Sequence, residues 1–395
     1  MTKPIVLAYS GGLDTSFLIP YLKETYKVPV VAVHVNTGGL DRGREAEVTA
    51  RARELGASDV CMVDARETYF REVISYLIKG NVLRGEVYPL CVGAERVTQA
   101  RELVNTARKI GADRIAHGST AAGNDQVRFE IYLRVLAPEI EILAPVRDHG
   151  FKREAEVEFL AKRGFPFSWE KARFSVNRGL WGTTIGAREF QDPSVAIPEE
   201  AYGKITLEAG ETVTLDFEKG LPVRLNGKTL SAVNLVESLN EKAGSRGIGR
   251  GVHVGNTALG IKGRIAFEAP SAAVLLPAHR ELEKLVLTKW ETFWKHQLST
   301  FYGDLLHEGH YFEPVMREIE AFADRSQERV TGSVSVRLEK LSCRVLACSS
   351  PYSLINVRVG VYGEEALSWN GAEARGFAKI GSIPAQLWRH VGGGS

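Results

Sequence analysis

Four apolar residues, Ile5-Val6-Leu7-Ala8, run without a polar break into Tyr9-Ser10-Gly11-Gly12-Leu13-Asp14-Thr15-Ser16, and an amphipathic stretch then continues to Tyr26. A buried parallel strand reads as such an uninterrupted run, and the glycines place a strand-to-helix turn at its carboxyl end. Gly11 and Gly12 let the backbone turn tightly and approach a ligand with no Cβ in the way. The hydroxyls of Ser10, Thr15 and Ser16 stand beside the free amides of the helix start, where the dipole favours an anion. The stretch reads as a phosphate cradle. It is not a Walker loop, which needs a Lys to reach the terminal phosphates; Asp14 stands where that charge would be.

The same alternation continues to residue 166. Strands are expected at Val30–Val35, Val60–Val63, Arg114–Gly118 and Glu141–Ala144. Helices are expected at Gly43–Leu55, Glu67–Ile78, Ala94–Ile110 and Lys152–Lys162. This spacing predicts an α/β, Rossmann-like domain with a doubly wound parallel sheet, whose ligands bind outside the carboxyl ends of the strands. Three polar loops lie at such ends, Ser10–Ser16, Asn36–Gly39 and Gly118–Asp125, and are expected to converge on one nucleotide.

The stretch from Ser168 to Pro198 has little periodicity, yet Trp169, Phe174, Leu180 and Trp181 argue against disorder. It reads as an active-site crossing between domains. From Ile205 the texture changes. Strands are expected at Ile205–Leu207 and Val213–Phe217, then a hairpin over Val223–Leu230 turning on Asn226-Gly227. Helices follow at Ala232–Ala243, Ala272–Leu306 and Tyr311–Gln327, and strands at Arg329–Leu338 and Cys343–Cys348. The chain therefore divides into residues 1–166, a crossing over 167–203, an α+β domain over 204–380 and a tail over 381–395. The closing Gly392–Ser395 reads as a linker scar. Trp290, Phe293, Trp294, Phe301 and Tyr302 read as core of the second domain, or as the cover of a subunit contact, core being the commoner case.

Composition narrows the function. A formal charge of +2 on 395 residues supplies no basic arm, which argues against nucleic-acid binding. Cys61, Cys91, Cys343 and Cys348 form no C-x-x-C pair and no metal-ligand spacing, and read as reduced thiols of a cytoplasmic protein. No apolar run approaches the ~20 residues of a membrane span, and no signal-peptide pattern opens the chain.

The pattern S-G-G-x-D-[ST]-S resembles the pyrophosphate loop of the AMP-forming N-type ATP pyrophosphatases. Two further stretches narrow the resemblance: His117-Gly-Ser-Thr-Ala-Ala-Gly-Asn-Asp-Gln-Val-Arg-Phe-Glu130, and Ser175-Val-Asn-Arg-Gly-Leu-Trp-Gly-Thr-Thr184 followed by Asp192-Pro193. With them the chain resembles the argininosuccinate synthase family nearly end to end. The likeness continues through Lys262-Gly263-Arg264, Glu268-Ala-Pro and Ser326-Gln327-Glu328-Arg329-Val330.

The resemblance implies a ligase that joins citrulline to aspartate, using ATP with Mg2+ and no organic cofactor. It implies a homotetramer as well. Carried over by position, Ala8, Tyr9, Ser10, Gly11, Gly12, Leu13, Asp14, Thr15, Ser16, Val35 and Gly118 would line the ATP pocket. Thr120, Asn124 and Asp125 would hold aspartate. Tyr88, Asn124, Arg128, Ser175 and Thr184 would hold citrulline, with no side chain as nucleophile. Metal ligands cannot be assigned this way. An alternative is an AMP-forming ligase of a related ureido substrate; another is a nucleotide sensor on the same fold, for which amino-acid clamps have no use. The chain departs from the family where it has Gly93 for a Ser, Gly255 for a Glu and Phe267 for a Tyr, all expected near citrulline, and Ala122 for a Lys.

Overall fold

The computed structural model describes residues 2–40, 42–167, 174–207 and 209–391. Trp169 and the rest of 168–173, and the closing 392–395, lie outside the described residues.

The N-terminal half starts with β1 (Ile5–Ala8), α1 (Leu13–Tyr26), β2 (Val30–Asn36), α2 (Arg42–Glu54) and β3 (Asp59–Asp64). α3 (Arg66–Tyr69) and α4 (Ser75–Gly80) follow, joined by a π-helical turn over Phe70–Ile74. Then come α5 (Arg96–Ile110), β4 (Arg114–Ala116), α6 (Asn124–Leu136), β5 (Glu141–Leu143), α7 (Pro145–His149) and α8 (Arg153–Ala161). The five strands form a parallel sheet in the order β3-β2-β1-β4-β5. Both faces of β1 and β2 are covered, which is why they read as unbroken apolar runs. Ile5, Leu7, Val30 and Ala32 pack with Phe17, Leu18, Leu22 and Leu160. The alternate residues Val6, Val31 and Val33 pack with Val97, Ala100 and Leu103. Neighbours in sequence thus serve opposite layers.

The second half carries two antiparallel sheets. One has the order β10-β9-β8-β13-β14, from β8 (Glu211–Glu218), β9 (Leu221–Leu225), β10 (Lys228–Thr229), β13 (Gly332–Glu339) and β14 (Ser342–Ser349). The other has the order β11-β12-β7-β6, from β6 (Ser175–Gly179), β7 (Gly182–Gly186), β11 (Arg250–Asn256) and β12 (Lys262–Glu268). Its helices are α9 (Ala232–Gly244), α10 (Pro270–Val286), α11 (Lys289–Glu308) and α12 (Pro314–Ser326). These elements and the parallel sheet form one compact unit ending at Pro351. A second unit begins at Tyr352 and holds the short hairpin β15 (Gly360–Val361) and β16 (Glu365–Ala366) and the helix α13 (Gly371–Val391). Among the described residues no helix is long and apolar enough to cross a membrane.

Four expectations are corrected. The stretch without periodicity contains a regular hairpin, β6 and β7, because short strands rich in Gly, Asn and Thr carry little apolar alternation. No strand forms over Ile205–Leu207; the N–H groups of Thr206 and Leu207 both donate to the Ser245 carbonyl, at 2.9 and 3.0 Å. The single helix expected over Ala272–Leu306 is two, divided at Thr288, which forms a capping box with Glu291 and starts α11 afresh. Of the aromatic group on α11 only Tyr302 is core; Trp290 is 65% and Trp294 57% exposed, and Phe293 and Phe301 are exposed too. Their i, i+3, i+4 spacing marks one helix face, but not what that face meets.

Candidate active site

In a parallel sheet of this order the strand sequence reverses direction at β1, between β2 and β4, and loops on either side part to leave a crevice. The cradle follows β1 and the Gly118–Asp125 loop follows β4. They approach so closely that a Cβ on Gly118 would lie 3.2 Å from Asp14 Cβ and 3.3 Å from Thr15 Cγ2. Gly118 is required there for closeness of approach.

Within the cradle Gly11 has φ +79°, a left-handed conformation suited to glycine. Gly12 is the N-cap of α1, and no side chain caps it. The Gly12 N–H donates to Ser10 Oγ at 3.3 Å, Thr15 Oγ1 donates to the Gly12 carbonyl at 3.3 Å, and the two hydroxyls lie 3.1 Å apart. Hydroxyls are thus gathered around the first amides of α1, which have no intrahelical acceptor. Ala8 ends β1, while Tyr9 is buried and its N–H donates to Val33 across the strands. Val35 is buried near the end of β2.

The Asn36–Gly39 loop is a seat for the β6–β7 hairpin. Leu180 N–H donates to the Thr37 carbonyl at 2.9 Å, and Asn240 Nδ2 donates to the Leu180 carbonyl at 2.8 Å. Trp181, fully buried, donates its indole N–H to the Pro89 carbonyl at 2.8 Å. Gly38 has φ +106°, and a Cβ there would come within 2.4 Å of Leu180 N. Gly38→Ala is therefore expected to destabilise the fold by more than about 1 kcal/mol and loosen the hairpin. Thermal unfolding and proteolysis between residues 174 and 186 read both effects; wild-type values in both would refute the seat.

The four-stranded sheet turns one face to the site. Strand pairing sets Thr184 against Phe267 and Asn177, Ser175 against Gly186, and Gly251 and His253 against Phe267 and Ile265. By alternation Ser175, Thr184, Gly251, His253, Gly255 and Phe267 share that face. Tyr88 is buried against it, its ring stacked 5.2 Å from His253 and tilted 5.3 Å from Phe267. Ser175 is exposed at the edge and Thr184 half-buried. Opposite, Ile185 and Ala266 join a small cluster with Phe190.

A chain of alternating charges joins these parts. Arg128 Nη1 donates to Asp125 Oδ1 at 2.8 Å, and Arg96 Nη2 donates to Asp125 Oδ2 at 2.9 Å. Arg96 Nη1 also donates to Glu95 Oε1 at 2.7 Å, and Thr37 donates to Glu95 Oε2 at 2.9 Å. At the far end Arg128 Nε donates to the His307 carbonyl at 2.7 Å, and Nη2 to His307 Nδ1 at 3.0 Å. Burial, and then the Arg128 charge, push His307 down to about 2, so its Nδ1 lone pair is free to accept. Burial disfavours the Asp125 anion, yet Arg96 and Arg128 outweigh it and hold the carboxyl well below its usual range. Glu95 has one such partner, and burial wins: it is pushed up to about 7.

Asn124 opens α6 and its Oδ1 accepts the Ala258 N–H at 2.8 Å, tying the Gly118–Asp125 loop to the β11–β12 turn. Thr120 is exposed beside it. Two of the four departures, Gly93 and Gly255, have a local packing reason. A Cβ on Gly93 would lie 2.9 to 3.1 Å from the Arg128 guanidinium, which fills that space. A Cβ on Gly255 would meet His253 Nε2 at 2.4 Å, and the Phe267 ring lies where a Cβ on Gly251 would be.

The sequence reading missed Glu95, Arg96 and His307, and named Thr37 only as part of the Asn36–Gly39 loop. Arg96 and Glu95 lay in a stretch read only as helix, and His307 is 179 positions from Arg128. No local pattern pairs such residues.

Comparison with known proteins places both halves of the chain in one family. A family model described as the arginosuccinate synthase N-terminal HUP domain matches residues 4–166, and one described as the arginosuccinate synthase C-terminal domain matches residues 174–388. The chain is 38% identical to the argininosuccinate synthase of Sulfurisphaera tokodaii, covering 98% of this chain and 99% of that one. It is 38% identical to that of Dictyoglomus turgidum, with 99% and 98% covered. It is 39% identical to that of Symbiobacterium thermophilum, with 98% of each covered.

Proposed function

The chain belongs to the argininosuccinate synthase family, and from that premise we propose how its own residues perform the reaction. It is an AMP-forming C–N ligase of arginine biosynthesis that joins L-citrulline and L-aspartate to argininosuccinate using ATP. The ureido oxygen of citrulline forms a bond to the α-phosphorus, and the bond to the leaving pyrophosphate breaks. The aspartate amine then attacks the ureido carbon of citrullyl-AMP, loses its proton, and AMP departs with the bonding pair.

This chemistry asks for positioning, charge stabilisation and exclusion of water rather than a protein nucleophile. The cradle of Ser10 to Ser16 takes the phosphates, with Ala8, Tyr9, Val35 and Gly118 lining the pocket. Thr120, Asn124 and Asp125 receive aspartate, whose ammonium group suits the Asp125 carboxylate. Tyr88, Asn124, Arg128, Ser175 and Thr184 receive citrulline. Arg128 spends three of its N–H groups on His307 and Asp125, leaving one on each terminal nitrogen. That pair is the fork a carboxylate takes in bidentate fashion. The observation that carries this reading is the meeting of the β1 cradle with the Asn124–Arg128 cluster at one switch point.

Radiolabelled pyrophosphate is expected to exchange into ATP only when citrulline is present and without need of aspartate. Exchange independent of citrulline would point to a different acceptor. The same reading has Mg2+ entering with the ATP phosphates, no organic cofactor, and a cytoplasmic homotetramer. A monomer in sedimentation at working concentration would overturn the tetramer.

A further inference from the structure

Outside the cluster just described, among the described residues, one carboxyl is buried without a cation bound to it. Glu156, in the first turn of α8, keeps 1% of its surface accessible, and its Oε2 accepts no hydrogen bond among the described residues. Its carboxyl meets that of Asp14, in the first turn of α1, at hydrogen-bonding range. The two helices are held together by Phe17, whose ring packs edge-on to Phe151 and Phe159 at 5.1 and 4.9 Å. On its other flank Asp14 abuts Gly118. Glu156 is buried and Asp14 half-buried, so the Glu156 carboxyl has no route to water. Two anions cannot share such a contact, but two carboxyls sharing one proton can.

We propose that Glu156 is a positioning residue of the phosphate cradle: its protonated carboxyl donates a hydrogen bond to the Asp14 carboxylate and holds the first turn of α1 in place for ATP. The proposal rests on the reading of that turn as the ATP cradle. Burial, then the Asp14 charge and the hydrogen bond between them, push Glu156 up to about 9, so the proton stays through neutral pH. The charged groups acting on it are Asp14 from α1, which favours the proton, and Arg153 from its own helix, which opposes it. Gly118, packed against Asp14, adds no side chain. Incoming phosphates are anionic and hold the proton more firmly. ATP affinity therefore falls only as the pH rises past the value of the free pair.

The test is calorimetric ATP binding, at constant Mg2+, by the wild-type chain, Glu156→Gln and Glu156→Leu from neutral pH to beyond the Glu156 value. Circular dichroism at each pH checks that every variant is folded. Wild-type affinity is expected to fall about tenfold per pH unit at the alkaline end, as one linked proton requires. Glu156→Gln, whose amide donates the same bond without titrating, stays near the wild-type affinity at neutral pH and shows no alkaline fall. Glu156→Leu, with no donor, binds ATP about tenfold more weakly throughout. In the infrared the wild type shows a protonated-carboxyl band that the Gln variant lacks. An alkaline fall that persists in Glu156→Gln, a Leu variant equal to wild type, or no such band overturns the proposal alone. A wild-type chain that binds no ATP at any pH overturns the functional reading as well.

Discussion

Replacing Asp125 by alanine is expected to cost ~3 kcal/mol of stability and to halt the reaction after adenylation. The stability loss comes from the arginines, not from Asp125 itself. The Asp125 side chain is 32% accessible, so its own Coulomb gain is partly screened, whereas those of Arg96 and Arg128 are 8% and 6% accessible. Without Asp125, Arg96 keeps Glu95, but Arg128 keeps only the neutral groups of His307. A buried guanidinium then lacks a counter-ion, which places the estimate at the low end of the ~3–5 kcal/mol for breaking a buried pair.

The pH dependence has a definite sign. Asp125 is held lower in the folded chain than its ordinary value of 3.8, so its stabilising contribution is present above that value and lost as the pH falls below it. The gap in unfolding free energy between wild type and Asp125→Asn should be constant near neutrality and close toward strong acid. In single-turnover experiments Asp125→Ala should accumulate citrullyl-AMP in the presence of aspartate. Unimpaired turnover by a folded Asp125→Ala chain would remove Asp125 from the aspartate site.

Arg128→Ala has the other large effect, and on a different substrate. Loss of the proposed bidentate partner of the citrulline carboxylate is expected to weaken citrulline by ~3 kcal/mol, about 100-fold or more. ATP affinity should change little, because Arg128 belongs to α6 and the cradle to β1 and α1. Arg128→Lys should recover little of the loss. One ammonium group cannot serve the His307 carbonyl, His307 Nδ1, Asp125 and a substrate carboxylate together. Citrulline-dependent pyrophosphate exchange and direct ATP titration separate the two substrates. An equal collapse of both affinities would show that Arg128 supports the pocket as a whole rather than holding citrulline.

These effects depend on parts of the molecule that differ in how visibly they were written in the chain. The parallel sheet was legible because its signals are local. Unbroken apolar runs at Ile5–Ala8 and Val30–Val35 mark strands buried on both faces, and Gly-Gly followed by hydroxyls marks the turn between strand and helix. The strand–helix–strand rhythm then places three loops at one edge. The β6–β7 hairpin escaped because its strands follow no apolar alternation; its place is held by the Thr37, Pro89 and Asn240 hydrogen bonds to Leu180 and Trp181. The α10–α11 break escaped because apolar spacing is continuous across it. A single Thr288–Glu291 capping box outweighs that continuity.

What the sequence determined by itself is the Gly-Gly turn after β1, the α/β layering behind it and the residue types proposed to meet ATP, citrulline and aspartate. Each depends on neighbours a few positions apart, where backbone geometry leaves little choice. Only the tertiary structure decided which charges meet. Asp125 is shared by Arg96 and Arg128, His307 reaches Arg128 from another sheet's helices, and Glu156 faces Asp14 across two helices. Such pairings are chosen by burial: a charge removed from water must find a partner or a proton among whatever the fold brings beside it.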